Sequence, residues 1–324
     1  MTIHRRSFLQ LAASTALLGA SGGAMAQSYP TKPVRFIVGF PAQGPNDVLA
    51  RLMAEWLSAK LGQPFVVENQ PGKAGNIATE NVVRSPADGY TILLCGPANA
   101  IGASLYPNLP FNFLRDFTPV GGITREALVM VVNPSLPVNN AAEYLAYAKA
   151  NPGKLKMAST GNGSAPHVTA ELFKMMTGVE TSIVHYAGGG PALKAIIAGD
   201  AQVMFEPMSA SIEPVRKGQL RAIAVTTTTR SEALPNVPPL AETVPGYEAS
   251  ATTGVAVPKG TPREVVDLLN KTMNAAYADP AMRARFADTG GAVLAVSPEE
   301  FAKIMVGETE KWGAVVKASG AKAE

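Results

Sequence analysis

Residues 34–62 read VRFIVGFPAQGPNDVLARLMAEWLSAKLG, and this stretch contains the pattern that decides the fold. The near-continuous apolar run Val34–Phe40 is typical of a strand that is buried on both faces of a sheet. After a loop rich in glycine and proline, apolar residues recur at helical spacing from about Asp47 to Leu61, and Gly62 ends the predicted helix. A strand, a short loop and an amphipathic helix form the repeating unit of an α/β protein.

The same alternation continues along the rest of the chain. Further strands are predicted at Phe65–Glu68, Tyr90–Cys95, Leu128–Asn133, Leu155–Ser159, near Ile183, and at Val203–Phe205, Leu220–Thr226 and Thr252–Val257. Further helices are predicted at residues 77–84, 141–150, 166–177, 191–198, 209–217, 262–278, 280–288 and 298–318. This order favours a mostly parallel sheet that is covered by helices.

Two of these helices begin with a capping-box pattern. The segments TPRE at residues 261–264 and SPEE at residues 297–300 each place a hydroxyl residue before a proline and a glutamate three positions later. We therefore expect Thr261 and Ser297 to cap the helices that follow them.

The composition excludes several classes of protein. Of the 324 residues, 47% are hydrophobic and 16% are charged, which is enough apolar surface for a packed core and a length for roughly two domains. A net charge of +3 provides no basic surface for nucleic acid. One cysteine, Cys95, excludes an intramolecular disulfide framework and a cysteine-clustered zinc site, and three histidines argue against a metal-centred enzyme. We interpret Cys95 as a small buried hydrophobic residue of a strand.

Residues 1–26 have the organisation of a secretory signal peptide. Arg5 and Arg6 precede the apolar run Leu11–Ala20, and the segment ends in Ala24-Met25-Ala26. The paired arginines before Ser-Phe-Leu are similar to a twin-arginine export signal, and the general secretory route is the alternative. We expect cleavage after Ala26 and a periplasmic location for the mature chain.

Four glycine-rich loops each connect a predicted strand to a predicted helix. They are FPAQGPND at residues 40–47, NQPGKAGN at 69–76, TGNGSAPH at 160–167 and YAGGGP at 186–191. The carboxyl ends of parallel strands meet at one edge of a sheet, where ligands bind. Helix N-termini add unpaired N–H groups and a partial positive charge, so the four loops together predict an anion site, although each alone also fits an ordinary turn. None of them matches a dinucleotide or P-loop motif.

A hydrolase is a second interpretation, because Ser164 and His167 lie three residues apart in one loop. The loop has no G-x-S-x-G nucleophile elbow. We therefore expect Ser164 to cap the following helix and His167 to point into the space between domains, while His185 has a structural role in a strand.

These four loops, together with PADGY at 86–90, RAIAVT at 221–226, RSEALP at 230–235 and PKGTP at 258–262, resemble the Bug family. Bug proteins are the extracytoplasmic solute receptors of tripartite tricarboxylate transporters, and the resemblance covers essentially the whole mature chain. It implies an α/β, type II-like periplasmic-binding-protein fold in which two Rossmann-like lobes are joined by two β crossings. Residues 27–125 and 255–324 would form lobe 1, and residues 126–254 would form lobe 2. The crossings would lie near the predicted strands at 128–133 and 252–257.

The resemblance also implies which residues bind the solute, a small carboxylate held mainly by backbone amides and ordered water. The first-lobe contacts would be Phe40, Gln43, Pro45, Asn46 and Asp47, with Asn76 and Asn99 nearby. The second-lobe contacts would be Ser159, Thr160, Gly163, Ser164, His167, Tyr186, Gly189 and Glu206. No catalytic residue, metal or cofactor is implied, and the chain would be a monomer that delivers its solute to a membrane permease.

Four positions depart from the family pattern, and two of them, Gln70 and Lys73, stand where family members usually have an arginine and a small residue. Gln43 stands where family members usually have glycine, and Glu206 stands near a usual aspartate. Glu206 either faces the ligand cleft, where it would favour a solute with a hydroxyl or ammonium group, or caps the helix near Ser209. Loops 40–47 and 160–167 contain no lysine or arginine, so we expect neutral donors to bind the anion, with Lys73 as the only basic neighbour.

Three functions remain open at this point. The first is a receptor that delivers a carboxylate to a permease, and the second is a receptor that signals through a partner protein. The third is a periplasmic ester hydrolase that uses Ser164 and His167.

Overall fold

The structure, a computed structural model, describes residues 29–231, 233–289 and 291–321. The predicted signal peptide and its cleavage site lie outside these residues. The strands are β1 Val34–Val38, β2 Phe65–Asn69, β3 Thr91–Cys95, β4 Phe117–Val132, β5 Lys156–Ser159, β6 Ser182–His185, β7 Val203–Pro207, β8 Arg221–Val225, β9 Ser250–Pro258 and β10 Gly291–Val293. The helices are α1 Pro45–Leu61, α2 Asn76–Val83, α3 Pro97–Leu105, α4 Ala141–Ala150, α5 Ala165–Thr177, α6 Gly189–Ala198, α7 Met208–Arg216, α8 Arg263–Ala278, α9 Pro280–Ala287 and α10 Pro298–Ser319.

The strands form two parallel groups that are joined by antiparallel strands. The order is β2-β1-β3-β9-β4-β7-β5-β6, and β8 and β10 also pair with β4. The strands β1, β2 and β3 pair in parallel, as do β5, β6 and β7. The prediction of a mostly parallel sheet therefore describes each group, but it is wrong for β4 and β9, which are antiparallel to their neighbours.

Strand β4 connects the two groups. Its first part pairs with β9, from Phe117 opposite Pro258 to Ala127 opposite Ser250, and its last five residues pair with β7 and β8. The sequence predicted only the second part, because Gly121-Gly122 interrupts the apolar pattern. In the structure, the pairing with β9 shifts register on either side of these glycines. The division of the chain into lobes at residues 126 and 254 stays a prediction.

Glycines allow β4 and β9 to approach each other closely. A Cβ at Gly254 would lie 2.5 Å from the carbonyl oxygen of Gly121, so a side chain at this position would clash with the backbone of β4.

Separate apolar clusters support the two groups of strands. Phe36 of β1, Met53 of α1 and Phe286 of α9 are fully buried in the cluster of the first group. The cluster of the second group includes Ile101 of α3 and Trp312 of α10, so these two helices also pack against the second group. Full burial of side chains of this size contributes about 1.5–3 kcal/mol each.

The local signals at helix ends are mostly confirmed. Gly62 adopts a left-handed conformation and ends α1, and Ser297 forms the predicted capping box. The capping box at Thr261 is wrong: its hydroxyl donates to the carbonyl oxygen of Pro258, and α8 begins after Pro262 without a side-chain cap. Cys95 is buried, as expected.

Candidate functional site

The first loop, residues 40–47, is organised around the carboxylate of Asp47. Oδ2 of Asp47 accepts a hydrogen bond from the backbone N–H of Gln43 at 2.8 Å and another from Nε of Arg51 at 2.9 Å. Gln43 adopts a left-handed conformation with φ of 65°, which explains why a glycine suits this position. Pro45 and Asn46 are the first two residues of α1.

Asp47 carries its own cation. Its side chain is only 2% exposed, and the bond to Arg51, four residues later in α1, lowers the pKa of the carboxyl below its usual range. The expectation that Lys73 would be the only basic neighbour of the loops is therefore wrong. Oδ1 of Asp47 is buried and has no partner among the described residues.

The loop of residues 69–76 packs directly against the first loop. Nδ2 of Asn69 donates to the carbonyl oxygen of Phe40 at 3.0 Å. A Cβ at Gly39 would lie 2.7 Å from Cα of Gly75, so these two loops touch through bare backbone.

The other first-lobe residues are used to build the loops. Nδ2 of Asn76 donates to the carbonyl oxygen of Lys73 at 2.8 Å. Asn99 accepts from the N–H of Gly96 and donates to Oγ1 of Thr79, so it holds the start of α3. The structure therefore gives Asn99 a structural role, one strand away from the first loop.

The predicted second-lobe residues are brought together by β5 and β6. Oγ of Ser159 lies 2.6 Å from Nδ1 of His185, and the N–H of Tyr186 donates to the carbonyl oxygen of Ser159 at 3.0 Å. Gly161 lies next to Tyr186: a Cβ at Gly161 would be 3.9 Å from the carbonyl oxygen of Tyr186. The loops after the two strands thus form one surface.

Ser164 caps α5, as expected. Its Oγ accepts from the N–H of His167 at 3.3 Å and donates to the carbonyl oxygen of Gly161 at 2.7 Å. The hydroxyl proton of Ser164 is therefore directed at a backbone oxygen rather than at a base.

His167 does not point into open space, which corrects the prediction from the sequence. The side chain is buried, its Nδ1 accepts from the N–H of Gly163 at 2.9 Å, and its ring lies 4.6 Å from that of His185. Burial, and then the neighbouring His185, lower the pKa of His167 to about 4. The ring is thus neutral at pH 7, with its proton on Nε2.

The N-terminus of α6 is bare. Its N-cap residue, Gly188, has φ of 103° and no side chain caps the helix. A Cβ at Gly189 would lie 3.2 Å from Oε1 of Glu206 and 3.9 Å from Cγ2 of Thr160. The carboxyl group of Glu206 therefore borders the backbone N–H groups of this first turn.

Glu206 does not cap the helix near Ser209, so that interpretation is wrong. Helix α7 begins at Met208, and both the N–H and the hydroxyl of Ser209 donate to Oε1 of Glu126, at 3.1 and 2.6 Å. Burial, and then the nearby charge of Glu126, raise the pKa of Glu206 to about 8.

Sequence reasoning missed the roles of Arg51 and Glu126, and it predicted a structural role for His185 without its partners. Arg51 stands four residues after Asp47, a spacing that indicates a helical ion pair and could have identified it. The positions of Glu126 and His185 depend on strand pairing, and no local pattern indicates them.

Gly163 of the loop of residues 160–167 contacts a helix that follows β3. A Cβ at Gly163 would lie 2.2 Å from Cδ2 of Leu105, at the end of α3, and Gly163 has φ of 72°. The uncapped N-terminus of α6, which lies beside Thr160 and Glu206, suits an anion. Among residues 29–231, 233–289 and 291–321, no cluster of histidine, cysteine, aspartate or glutamate is arranged to hold a metal ion.

The chain matches known proteins over most of its length. Residues 49–321 match the model of the tripartite tricarboxylate transporter family receptor. The chain is 37% identical to protein BugT of Bordetella pertussis over 310 residues, which cover 95% of each chain. It resembles the structure of R. palustris Rpa4515 with adipate, at a TM-score of 0.80 and 35% identity, over 91% of this chain and 99% of that one.

The chain also resembles the structure of MatC from Rhodopseudomonas palustris with bound malate, at a TM-score of 0.76 and 28% identity. This match covers 89% of this chain and 100% of the MatC chain. The loops, the paired groups of parallel strands and these matches agree with one another. The chain belongs to the Bug family of tripartite tricarboxylate transporter receptors.

Proposed function

We propose that this chain is a periplasmic receptor that captures a small carboxylate between its two sets of loops and delivers it to a tripartite tricarboxylate transporter permease. The observation that carries the proposal is the convergence of uncapped backbone N–H groups at the start of α6 with the glycine-rich loop of residues 160–167. Such groups bind carboxylates without a paired cation. The relatives solved with adipate and malate support a carboxylate as the solute.

The geometry supports binding rather than hydrolysis. Ser164 donates its proton to the carbonyl oxygen of Gly161, and Nδ1 of His167 is occupied by the N–H of Gly163. A serine nucleophile requires a base that takes its proton, and here the two side chains serve separate backbone groups. The family, which consists of receptors, agrees with this interpretation.

The proposed site is formed by the residues predicted in each lobe. In the first lobe these are Phe40, Gln43, Pro45, Asn46 and Asp47, with Asn76 and Asn99 nearby. In the second lobe they are Ser159, Thr160, Gly163, Ser164, His167, Tyr186, Gly189 and Glu206.

The test is direct binding of carboxylates to the mature chain, residues 27–324. The protein would be unfolded, dialysed and refolded to remove any co-purified solute, and then titrated by calorimetry with adipate, malate, glutarate and benzoate. At least one carboxylate should bind with a dissociation constant in the micromolar range or below, while its methyl ester should not bind. Absence of binding for every carboxylate, or ester turnover, would contradict the proposal.

Delivery and export have their own tests. The described residues contain no helix that is long and apolar enough to cross a membrane. We propose that the signal peptide is cleaved after Ala26, so the periplasmic form should begin at Gln27 by N-terminal sequencing. Solute uptake by cells should require both this receptor and a permease. Uptake that persists without the receptor would exclude the delivery role.

A further inference from the structure

Glu206, which is buried, and Glu126, which is half-buried, lie near the end of the second-lobe strands. Glu206 is the fourth residue of β7 and pairs with Val129 of β4, close to the point where β4 crosses between the strand groups. Its side chain is 2% exposed, and Oε2 has no hydrogen-bond partner among the described residues. A buried carboxylate without such partners is strongly disfavoured as an anion.

The two carboxyl groups have different surroundings. Glu126 accepts two hydrogen bonds from Ser209, at 3.1 and 2.6 Å, which favour its ionised form. Nothing comparable holds a charge on Glu206. When two carboxyl groups interact, the proton resides on the one that accepts fewer hydrogen bonds. Here that group is Glu206.

No cation compensates Glu206. Within the described residues, no lysine, arginine or histidine nitrogen lies within ion-pair distance of its carboxyl group. The titratable and charged groups on the elements packed against β7 are Arg125 and Glu126 of β4, Lys156 of β5, His167, Glu171 and Lys174 of α5, Lys194 of α6, and Glu213 and Arg216 of α7. Of these, Glu126 is the one whose charge acts on Glu206. Arg125, the neighbour of Glu126 in β4, acts instead on Glu248.

The acid is directed at the bare helix start. Oε1 lies 3.2 Å from where a Cβ of Gly189 would stand, and no side chain caps α6. A helix N-terminus together with an O–H donor can bind one carboxylate from two sides. An ionised glutamate at the same place would repel that carboxylate.

We propose that Glu206 is a neutral carboxylic acid at neutral pH and that its O–H group donates a hydrogen bond to the anionic group of the solute at the N-terminus of α6. This inference rests on the proposed function, since it names the group that recognises the carboxylate. It replaces the expectation that a charged Glu206 selects a solute with an ammonium group. The site then discriminates against solutes that place a cation beside their carboxylate.

The protonation state is tested first, in the protein without added solute. Carbon NMR of chains labelled at the glutamate carboxyl carbon follows each group from pH 4 to pH 9.5. The resonance that disappears in Glu206→Gln should titrate with a midpoint above pH 7. In Glu126→Gln, whose amide oxygen can still accept from Ser209, that midpoint should fall by at least half a pH unit. If Glu206→Gln does not fold, the fall of the midpoint in Glu126→Gln identifies the resonance of the Glu206 carboxyl carbon instead.

The role in binding is tested with adipate and malate by calorimetry between pH 6.5 and 9.5. Affinity of the unmodified protein should fall about tenfold per pH unit above the midpoint of Glu206. In Glu206→Gln, which retains an N–H donor but has no titratable proton, affinity should lose this pH dependence. The matched control is Glu213→Gln, an exposed position of α7, which should behave like the unmodified protein.

Each failure is distinguishable. A Glu206 midpoint below pH 5 overturns the inference whether or not any solute binds. Binding that is independent of pH, or a pH dependence that persists in Glu206→Gln, also overturns it while leaving the receptor function intact. A protein that binds no carboxylate at any pH, yet shows the high midpoint, refutes the proposed function instead.

Discussion

Asp47, in the first loop, and Glu206, near the end of β7, are two buried carboxyl groups, and their electrostatic states are opposite. Both are 2% exposed, and each has one oxygen without a partner among the described residues. Arg51 and the N–H of Gln43 hold Asp47 as an anion, with its pKa lowered. Burial and Glu126 raise the pKa of Glu206 to about 8. Burial without a compensating cation favours the neutral form of Glu206, which can donate to a solute anion, whereas Arg51 and the N–H of Gln43 favour the charged form of Asp47.

The comparison also distinguishes the two helix starts. Helix α1 has Asp47 in its first turn, so much of its partial positive charge is already compensated. Helix α6 starts with Gly188 and Gly189 and has no acidic residue in its first turn. We therefore expect α6 to contribute more to anion binding than α1.

The largest expected effect is a pH dependence of stability that belongs to Glu206. Its pKa in the folded chain is raised from 4.5 to about 8. The contribution of Glu206 to the free energy of unfolding is therefore fully present below pH 4.5 and is lost as the pH rises through 8. The free energy of unfolding of the unmodified protein, minus that of Glu206→Gln, should fall by about 4 kcal/mol between pH 5 and pH 8. Urea unfolding at each pH measures it. A constant difference would mean that Glu206 does not titrate in this range.

Next in size is the effect of a methyl group at the start of α6. In Gly189→Ala the new Cβ lies 3.2 Å from Oε1 of Glu206 and occupies the space beside the N–H groups. Carboxylate affinity measured by calorimetry should fall about thirtyfold, equivalent to about 2 kcal/mol. Gly190→Ala is the control, because a Cβ there meets nothing within 4 Å. Equal losses in both variants would remove α6 from the binding site.

A smaller effect is expected at the other carboxyl group. Asp47→Asn removes the ion pair with Arg51 and should reduce the free energy of unfolding at pH 7 by about 1.5 kcal/mol. Because the pKa of Asp47 is lowered in the folded chain, this difference should begin to shrink as the pH falls below 3.8. Urea unfolding of Glu213→Gln, which breaks an exposed pair, should show a loss below about 0.5 kcal/mol. Similar losses in the two variants would contradict the special status of Asp47.

The smallest effect concerns the strained residue beside Asp47. Gln43→Gly relieves a left-handed backbone, worth about 1–2 kcal/mol, but adds entropy to the unfolded chain, worth about 0.5–1 kcal/mol. The net gain should be about 0.5 kcal/mol by urea unfolding. Gln219→Gly, at an exposed glutamine without positive φ, should instead lose stability. A loss in Gln43→Gly would show that its side chain makes a contact that matters more than its backbone.

Local patterns predicted the parts of the molecule that depend on neighbours in sequence. The apolar stripe of α1, its end at Gly62 and the cap provided by Ser164 all follow from spacings of a few residues. The alternation of strands and helices predicted that the four loops follow the carboxyl ends of parallel strands, and the sheet shows the parallel pairings within each group. The resemblance supplied the division of the loops between two lobes.

What the sequence could not predict depends on residues far apart in the chain. Glu126 and Ser209 are 83 residues apart, and the pairing of β4 with β7 brings them together. Glu126 therefore accepts from the N–H of Ser209 at the start of α7, where the sequence had suggested Glu206. The length of β4 was missed because glycines at positions 121 and 122 break the apolar pattern that indicates a strand. The burial of His167 likewise depends on the packing of its ring against His185.

The contact between Leu105 and Gly163 has a kinetic consequence. If the proposed site lies between the loops on either side, a solute would leave only after these two residues separate, and the rate of that separation would limit its residence time. Strengthening individual hydrogen bonds to the solute would then lengthen residence less than stabilising the Leu105–Gly163 contact itself. A smaller side chain at position 105 would raise both the association rate and the dissociation rate of the solute. The dissociation constant would then change by the ratio of these two increases.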